Sequence, residues 1–143
     1  MSFFYFILLY VPNWLSFIDA HKQRNELINN RLTNYSKIIS PNDTVEIDLG
    51  ISLFKIIQID EIKEIMQSSA YLSVSWNDSR LKWDQNEYNN ITHIYMPYSL
   101  LWKPDFNIIN SADSSGYIKF SETTLAIIDC LGTVQLSIEL PSN

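Results

Sequence analysis

Glycine is nearly missing from this sequence, with three residues in 143. A chain so poor in glycine offers no loop that could cradle a phosphate on closely approaching backbone N–H groups. Histidine occurs only as His21 and His93, and no Ser, Asp and His grouping has an elbow or loop that would mark a catalytic triad. No acidic segment has the ligand spacing of a calcium loop. Basic residues are also few: ten Lys and Arg stand against sixteen Asp and Glu, for a net charge of −6. That balance argues against nucleic acid, because phosphate binding is driven by clustered Lys and Arg. These gaps point away from an enzyme and imply no cofactor and no metal. Cysteine occurs once, as Cys130, so no disulfide can close within the chain.

What is present begins with an apolar N-terminus. Ser2 to Phe17 is almost wholly apolar or aromatic, yet Pro12 and Asn13 break it short of the ~20 residues that a membrane helix needs. Ala20 supplies a small residue where a signal peptidase would cut. Residues 1–20 are therefore expected to be a secretory signal peptide, the alternatives being an uncleaved anchor or a buried strand. Four N-x-Ser/Thr sequons follow, at Asn34, Asn42, Asn77 and Asn90, and they suit an extracellular destination. As written the chain reads as secreted.

Periodicity divides the remainder, residues 21–143, into a helix and strands of one domain. Leu27, Ile28, Arg31, Leu32 and Tyr35 share a face at helical spacing, which predicts a helix from Gln23 to Lys37. From Val45 the period becomes two: Val45, Ile47, Leu49, Ile51 and Leu53 alternate with polar residues as a strand with one buried face. Parity slips at Leu53-Phe54, as a bulge requires. Asp60, Glu61 and Glu64 read as a solvated turn rather than a carboxylate cluster. A second long strand places Leu72, Val74 and Trp76 on one side and Tyr71, Ser73 and Ser75 on the other. Tyr117 to Phe120 and Leu125 to Ile128 are expected as short strands. Asp129 to Gly132 is a turn, after which Val134, Leu136, Ile138 and Leu140 alternate again. The reading is a mainly β protein with an N-terminal α-helix.

Two segments carry the sharpest signal. The first is Trp76-Asn77-Asp78-Ser79-Arg80-Leu81-Lys82-Trp83, a turn in which Asp78 can accept backbone N–H groups and pair with Arg80. The second runs from Met96-Pro97 through Trp102-Lys103-Pro104-Asp105 to Asn110-Ser111-Ala112-Asp113. There Trp102 is expected as a buried anchor beside the fixed corner of Pro104.

Together the W-x-D-x-R-L-x-W and P-x-x-x-L-W-x-P-D segments, with the Asn110-Ser111-Ala112-Asp113 that follows, resemble the pentameric Cys-loop neurotransmitter-gated ion channels. They are most similar to the nicotinic acetylcholine receptor branch, from about Gln23 to about Ser137. The resemblance implies a twisted, immunoglobulin-like β-sandwich with an N-terminal helix, incomplete in this chain. It implies a small cationic amine as neurotransmitter, held in an aromatic cage between homologous receptor subunits by cation–π attraction. On the complementary side of that cage it assigns Tyr71, Gln135 and Ser137; a surface tyrosine packed on a neighbouring strand is the alternative for Tyr71. On the principal side the family carries a tyrosine where this chain has Ile109, just before Asn110. The Cys-loop cysteines and transmembrane helices would follow Asn143, so the chain reads as the N-terminal part of such a ligand-binding domain, on the outer face of the plasma membrane in a parent receptor. A secreted ligand-binding or subunit-capping module without channel activity is the other reading.

Overall fold

The structure is a computed structural model in which residues 19–107, 121 and 123–140 are described. Ile109, Asn110, the expected Tyr117–Phe120 strand and residues 1–18 of the expected leader lie outside them. Helix α1 covers residues 19–32. The expected span of Gln23–Lys37 is thereby corrected at both ends. Asn34 takes a left-handed backbone, φ 64°, the conformation in which helices commonly terminate. Tyr35 is released from the helix face and turned toward the sheet, its N–H donating to the Leu32 carbonyl at 3.1 Å.

Five strands follow among the described residues: β1 (Ile47–Asp60), β2 (Ile65–Asn77), β3 (His93–Pro97), β4 (Leu125–Asp129) and β5 (Thr133–Leu140). They form one sheet in the order β1-β2-β5-β4-β3, every neighbouring pair antiparallel. The protein is mainly β, as its periodicity implies. Strand β3 is an element that the pattern reading did not single out, although Ile94 and Met96 alternate with His93, Tyr95 and Pro97. Its five residues are too few to stand out beside the motif that overlaps them.

Alternation sends one face of the sheet inward. Leu72, Val74 and Trp76 of β2 join Val134, Leu136 and Ile138 of β5, Ile128 of β4, and Ile94 and Met96 of β3 in one core. Leu27 of α1 and Leu81, Trp83, Tyr98 and Leu101 from the connections complete it. Strand β1 departs from expectation: Leu49, Ile51 and Leu53 are 56%, 71% and 53% exposed. The apolar period is real, but among the described residues β1 is an edge strand, and within its segment only Val45 and Ile47 reach the described core. The parity slip is where expected, with the register shifting between Leu53 and Lys55.

At the centre of the packing lies one ionised group. Asp78 is fully buried, and a carboxylate without water must be surrounded by donors. Arg80 gives it Nε at 2.8 Å and Nη2 at 2.7 Å, and the Arg80 backbone N–H donates at 3.1 Å. The Tyr35 hydroxyl donates to the second oxygen at 2.8 Å and accepts the Trp102 N–H at 3.0 Å. Arg80 Nη1 also donates to the Ile39 carbonyl at 2.9 Å, and the guanidinium lies 4.5 Å from the centre of the Tyr35 ring. The Asp78 N–H donates to the Gly132 carbonyl at 2.8 Å. Gly132 has φ +82°, and a Cβ there would collide with the Asp78 carbonyl.

Two outcomes follow from this arrangement. Asp78→Ala strands the Arg80 and Tyr35 donors, and should cost about 3 kcal/mol of unfolding free energy in chemical denaturation. Burial, reinforced by donation to Asp78 and opposed by the Trp102 N–H, pushes the Tyr35 hydroxyl up to about 12. A raised folded value means that this stabilisation is complete below the unfolded value near 10 and is lost as pH climbs from there toward 12. Tyr35→Phe should therefore be less stable at neutral pH and should lose less additional stability across that alkaline window, measured as unfolding midpoint against pH.

Candidate ligand-binding face

The outward face is built by the complementary residues of the same alternation. Pairing sets Ser52, Tyr71 and Glu139 in one row across β1, β2 and β5, then Gly50, Ser73 and Ser137, then Asp48, Ser75 and Gln135. Ile127 of β4 and Tyr95 of β3 extend the last row. Facing residues in such ladders stand about 4.5–5.5 Å apart at Cα, so each row is one continuous strip of side chains.

Three residues singled out in the sequence thus share this face. Gln135 and Ser137 line an open groove of about 520 Å³ with the polar Asp48, Ser73 and Ser75 and the apolar Leu49, Val74, Leu125, Ile127 and Leu136. Tyr71, 46% exposed, lies one row beyond Ser73 and Ser137 and is not in the groove lining. Its ring stacks on Phe54, centroids 4.9 Å apart and 27° between planes. One face of the Tyr71 ring is therefore taken by a neighbouring strand, and a cation can approach only the other. Phe54 was missed because a bulge residue breaks the alternation by which outward residues are recognised. Asp48 was missed as well, since a lone carboxylate in a strand looks like any solvated position. Gly50 keeps the groove floor low between β1 and β2: a Cβ there would strike the Ser73 hydroxyl, which donates to the Gly50 carbonyl at 3.1 Å.

Most of the remaining described motif residues lie in the core or at its rim. Trp76, Leu81 and Trp83 are buried, and Trp83 Nε1 donates to the Ile91 carbonyl at 2.7 Å. Pro97 ends β3, and Pro104 is buried while Asp105 is exposed. Trp102, expected as a buried anchor, is only partly buried; it meets Trp76 edge to face at 6.1 Å. Its corner lies at the rim of the core, where its indole covers Trp76 and is not itself covered. Cys130 is part-buried and accepts from Gln85 Nε2 at 2.6 Å. Asn34, Asn42, Asn77 and Asn90 are all exposed. Among the described residues no group of three or more His, Cys, Asp or Glu could hold a metal ion.

A groove of mixed apolar and hydrogen-bonding lining, with one carboxylate in its wall and an aromatic pair a row away, is suited to holding a small amphipathic or cationic molecule. Comparison with known proteins places the chain in a family of ligand-binding domains. Residues 24–142 match the neurotransmitter-gated ion-channel ligand binding domain, and the chain belongs to this family, one of ligand-gated channels and not of enzymes. It is 31% identical over 122 residues to acetylcholine receptor subunit alpha-type unc-38 of Caenorhabditis elegans, covering 82% of this chain and 24% of that protein. Over 121 residues it is 31% identical to acetylcholine receptor subunit alpha-like 2 of Drosophila melanogaster, covering 82% and 21%. Over 132 residues it is 29% identical to acetylcholine receptor subunit alpha-1-A of Xenopus laevis, covering 90% and 28%. The chain spans about a quarter of the length of these curated relatives. Among the described residues no helix is long and apolar enough to cross a membrane.

The two faces of β2 should respond differently to truncation. Trp76→Ala removes a core ring and should cost about 3–5 kcal/mol of stability. Tyr71→Ala removes a half-exposed ring that keeps only its stack with Phe54, worth about 0.5–1.5 kcal/mol. Unfolding curves of the two variants, compared with the parent, check the assignment of faces.

Proposed function

We propose that this chain is the extracellular ligand-binding region of a nicotinic-receptor-like, neurotransmitter-gated channel subunit, and that its outward sheet face forms the complementary half of a site between subunits. The observation that carries the reading is the placement of Tyr71, Gln135 and Ser137 on one outward face, the latter two lining a groove and Tyr71 one row beyond it, while Trp76 of the same strand as Tyr71 is buried. The ligand is a small cationic amine, attracted by the free face of Tyr71 and by the Asp48 carboxylate, with the Ser73, Ser75, Gln135 and Ser137 side chains as hydrogen-bonding partners. A homologous subunit supplies the principal half. Ile109 in place of the family's tyrosine weakens the principal half that this chain would offer in turn. Residues 1–20 act as a secretory signal peptide, and exposed Asn34, Asn42, Asn77 and Asn90 accept glycans on the way to the cell surface.

The test is binding of a labelled choline ester to the secreted chain mixed with a nicotinic-type subunit that carries an intact principal face. Binding above that of either component alone is expected. Tyr71→Ala should weaken it about tenfold, within the range of one cation–π contact. Gln135→Ala should weaken it less. If the mixture binds no more than the nicotinic-type subunit alone, or if Tyr71→Ala binds as the parent does, the complementary-face assignment fails.

A further inference from the structure

One of the four sequons differs from the others in what surrounds it. A pocket of about 400 Å³ lies between α1 and β3. Its walls are Gln23 and Arg24 of the helix, residues 89–92 of the turn before β3, and His93 and Tyr95 of the strand. Asn90 is therefore part of the wall. Asn34, Asn42 and Asn77 line neither this pocket nor the groove of the outward face. Ala20 is the only lining residue that removal of the expected leader would take away.

The backbone around Asn90 is held on both sides. Asn89 and Asn90 take left-handed conformations, φ 54° and 58°, which asparagine tolerates better than most residues. The Asn90 N–H donates to the Gln85 carbonyl at 2.8 Å, and the Ile91 N–H to the Tyr88 carbonyl at 3.0 Å. Trp83 Nε1 donates to the Ile91 carbonyl at 2.7 Å, and the Cys130 N–H to the Thr92 carbonyl at 3.1 Å. A sugar attached to Asn90 Nδ2 thus starts from one defined point, with only the side-chain torsions and the glycosidic link free to turn.

The lining suits a neutral sugar. Tyr95 is 58% exposed and offers an apolar ring face to the C–H side of a pyranose. The described lining contains no carboxylate. Its donors are the Arg24 guanidinium and the Gln23 and Asn89 amides, and a sugar's hydroxyls and acetamido carbonyl can accept from them. Thr92 Oγ1 and His93 Nδ1 are already paired at 2.8 Å. The volume is near the lower end of the range of ligand sites, about 300–1,000 Å³, which is room for the first sugar and not for a branched chain. So few contacts would hold a free monosaccharide weakly. Covalent attachment makes the same contact intramolecular, at an effective concentration in the millimolar range.

We infer that the first N-acetylglucosamine of a glycan on Asn90 is seated in this pocket against Tyr95, where it ties α1 to β3. The glycan is then a component of the fold, beyond the solubilising role of a surface sugar. The inference rests on the reading of Asn90 as a glycan acceptor on a secreted chain. Attachment forms a bond from Asn90 Nδ2 to C1 of the sugar. The C1–O bond to a lipid-linked diphosphate breaks, the diphosphate leaves with the electron pair, and one amide proton passes to base.

The test compares three forms of the full secreted chain made with high-mannose glycans. One is intact, one is trimmed by an endoglycosidase to a single N-acetylglucosamine per site, and one is stripped by a peptide N-glycosidase, which leaves Asp at each site. Intact and trimmed chains should share one thermal midpoint, and the stripped chain should unfold about 3–6 °C lower. That step should vanish in Asn90→Gln, fall to less than half in Tyr95→Ala, and persist in Asn42→Gln. Asn90→Asp, expressed directly and then trimmed, should already unfold at the stripped midpoint. Peptide mass spectrometry reads the occupancy of Asn90. An unoccupied Asn90 would overturn the inference together with the reading of that sequon. With Asn90 occupied, equal midpoints for trimmed and stripped chains, or a full step in Asn90→Gln or Tyr95→Ala, would overturn the inference alone.

Discussion

A carboxylate with no exposure to water is tolerable only when its lone pairs are met, and Asp78 draws its donors from two separate stretches of chain and ties two more to them. Arg80 satisfies it from the turn after β2, and Tyr35 from the segment after α1. Through the Tyr35 hydroxyl the Trp102 backbone is fixed, and through the Asp78 N–H the turn at Gly132 between β4 and β5. No one of these contacts would be strong if exposed. Buried together they are mutually dependent, since losing one donor leaves a charge that the others cannot accommodate. The helix, the β2 end, the Trp102 loop and the β4–β5 hairpin must therefore assemble together.

That assembly is what allows the sheet to divide its work. Because Trp76 is held in the core just before the turn that contains Asp78, the parity of β2 is set, and Tyr71, Ser73 and Ser75 have to face outward. Gly132 does the same for β5: with its turn anchored to Asp78, Val134 and Leu136 go in, and Gln135 and Ser137 go out. A slip of one residue in either strand would bury the polar set and expose the apolar one. The outward face is thus a consequence of the core, and its side chains need no interaction with each other to be positioned.

Much of this was legible in the order of residues. Alternation identified β2, β4, β5 and the bulge in β1, and local turn chemistry identified the Asp78–Arg80 pair. Two kinds of information were not local. Tyr35 continues the helical spacing of Ile28 and Leu32, and only the left-handed turn at Asn34 shows that it leaves the helix to serve Asp78. Likewise, the apolar face of β1 has the pattern of a buried strand, but pattern records which side is apolar and not whether anything covers it. Trp102 illustrates the same limit, since an aromatic beside a proline corner is equally consistent with a core position and with a rim position. Of the candidate site, Gln135, Ser137 and Tyr71 could be read from strand parity, whereas their company with Asp48 and Phe54 depends on which strands are neighbours.

The irregularity in β1 lies where the outward face reaches the last described strand of the sheet. Without the extra residue at Leu53/Lys55, strict alternation would carry Lys55 to the apolar side, the side of Leu49, Ile51 and Leu53. The bulge avoids placing that cation within an apolar strip and turns it to the face that already holds Asp48. It also leaves Phe54 unpaired in the ladder and free to lie on Tyr71. One inserted residue therefore limits the approach of a cation to a single side of the Tyr71 ring and also sets the charge pattern along β1. Bulges bend the strand and raise its twist, so both effects come from a backbone feature and not from the choice of side chains around it. A regular β1 would have neither the aromatic pair nor Lys55 on the same face as Asp48.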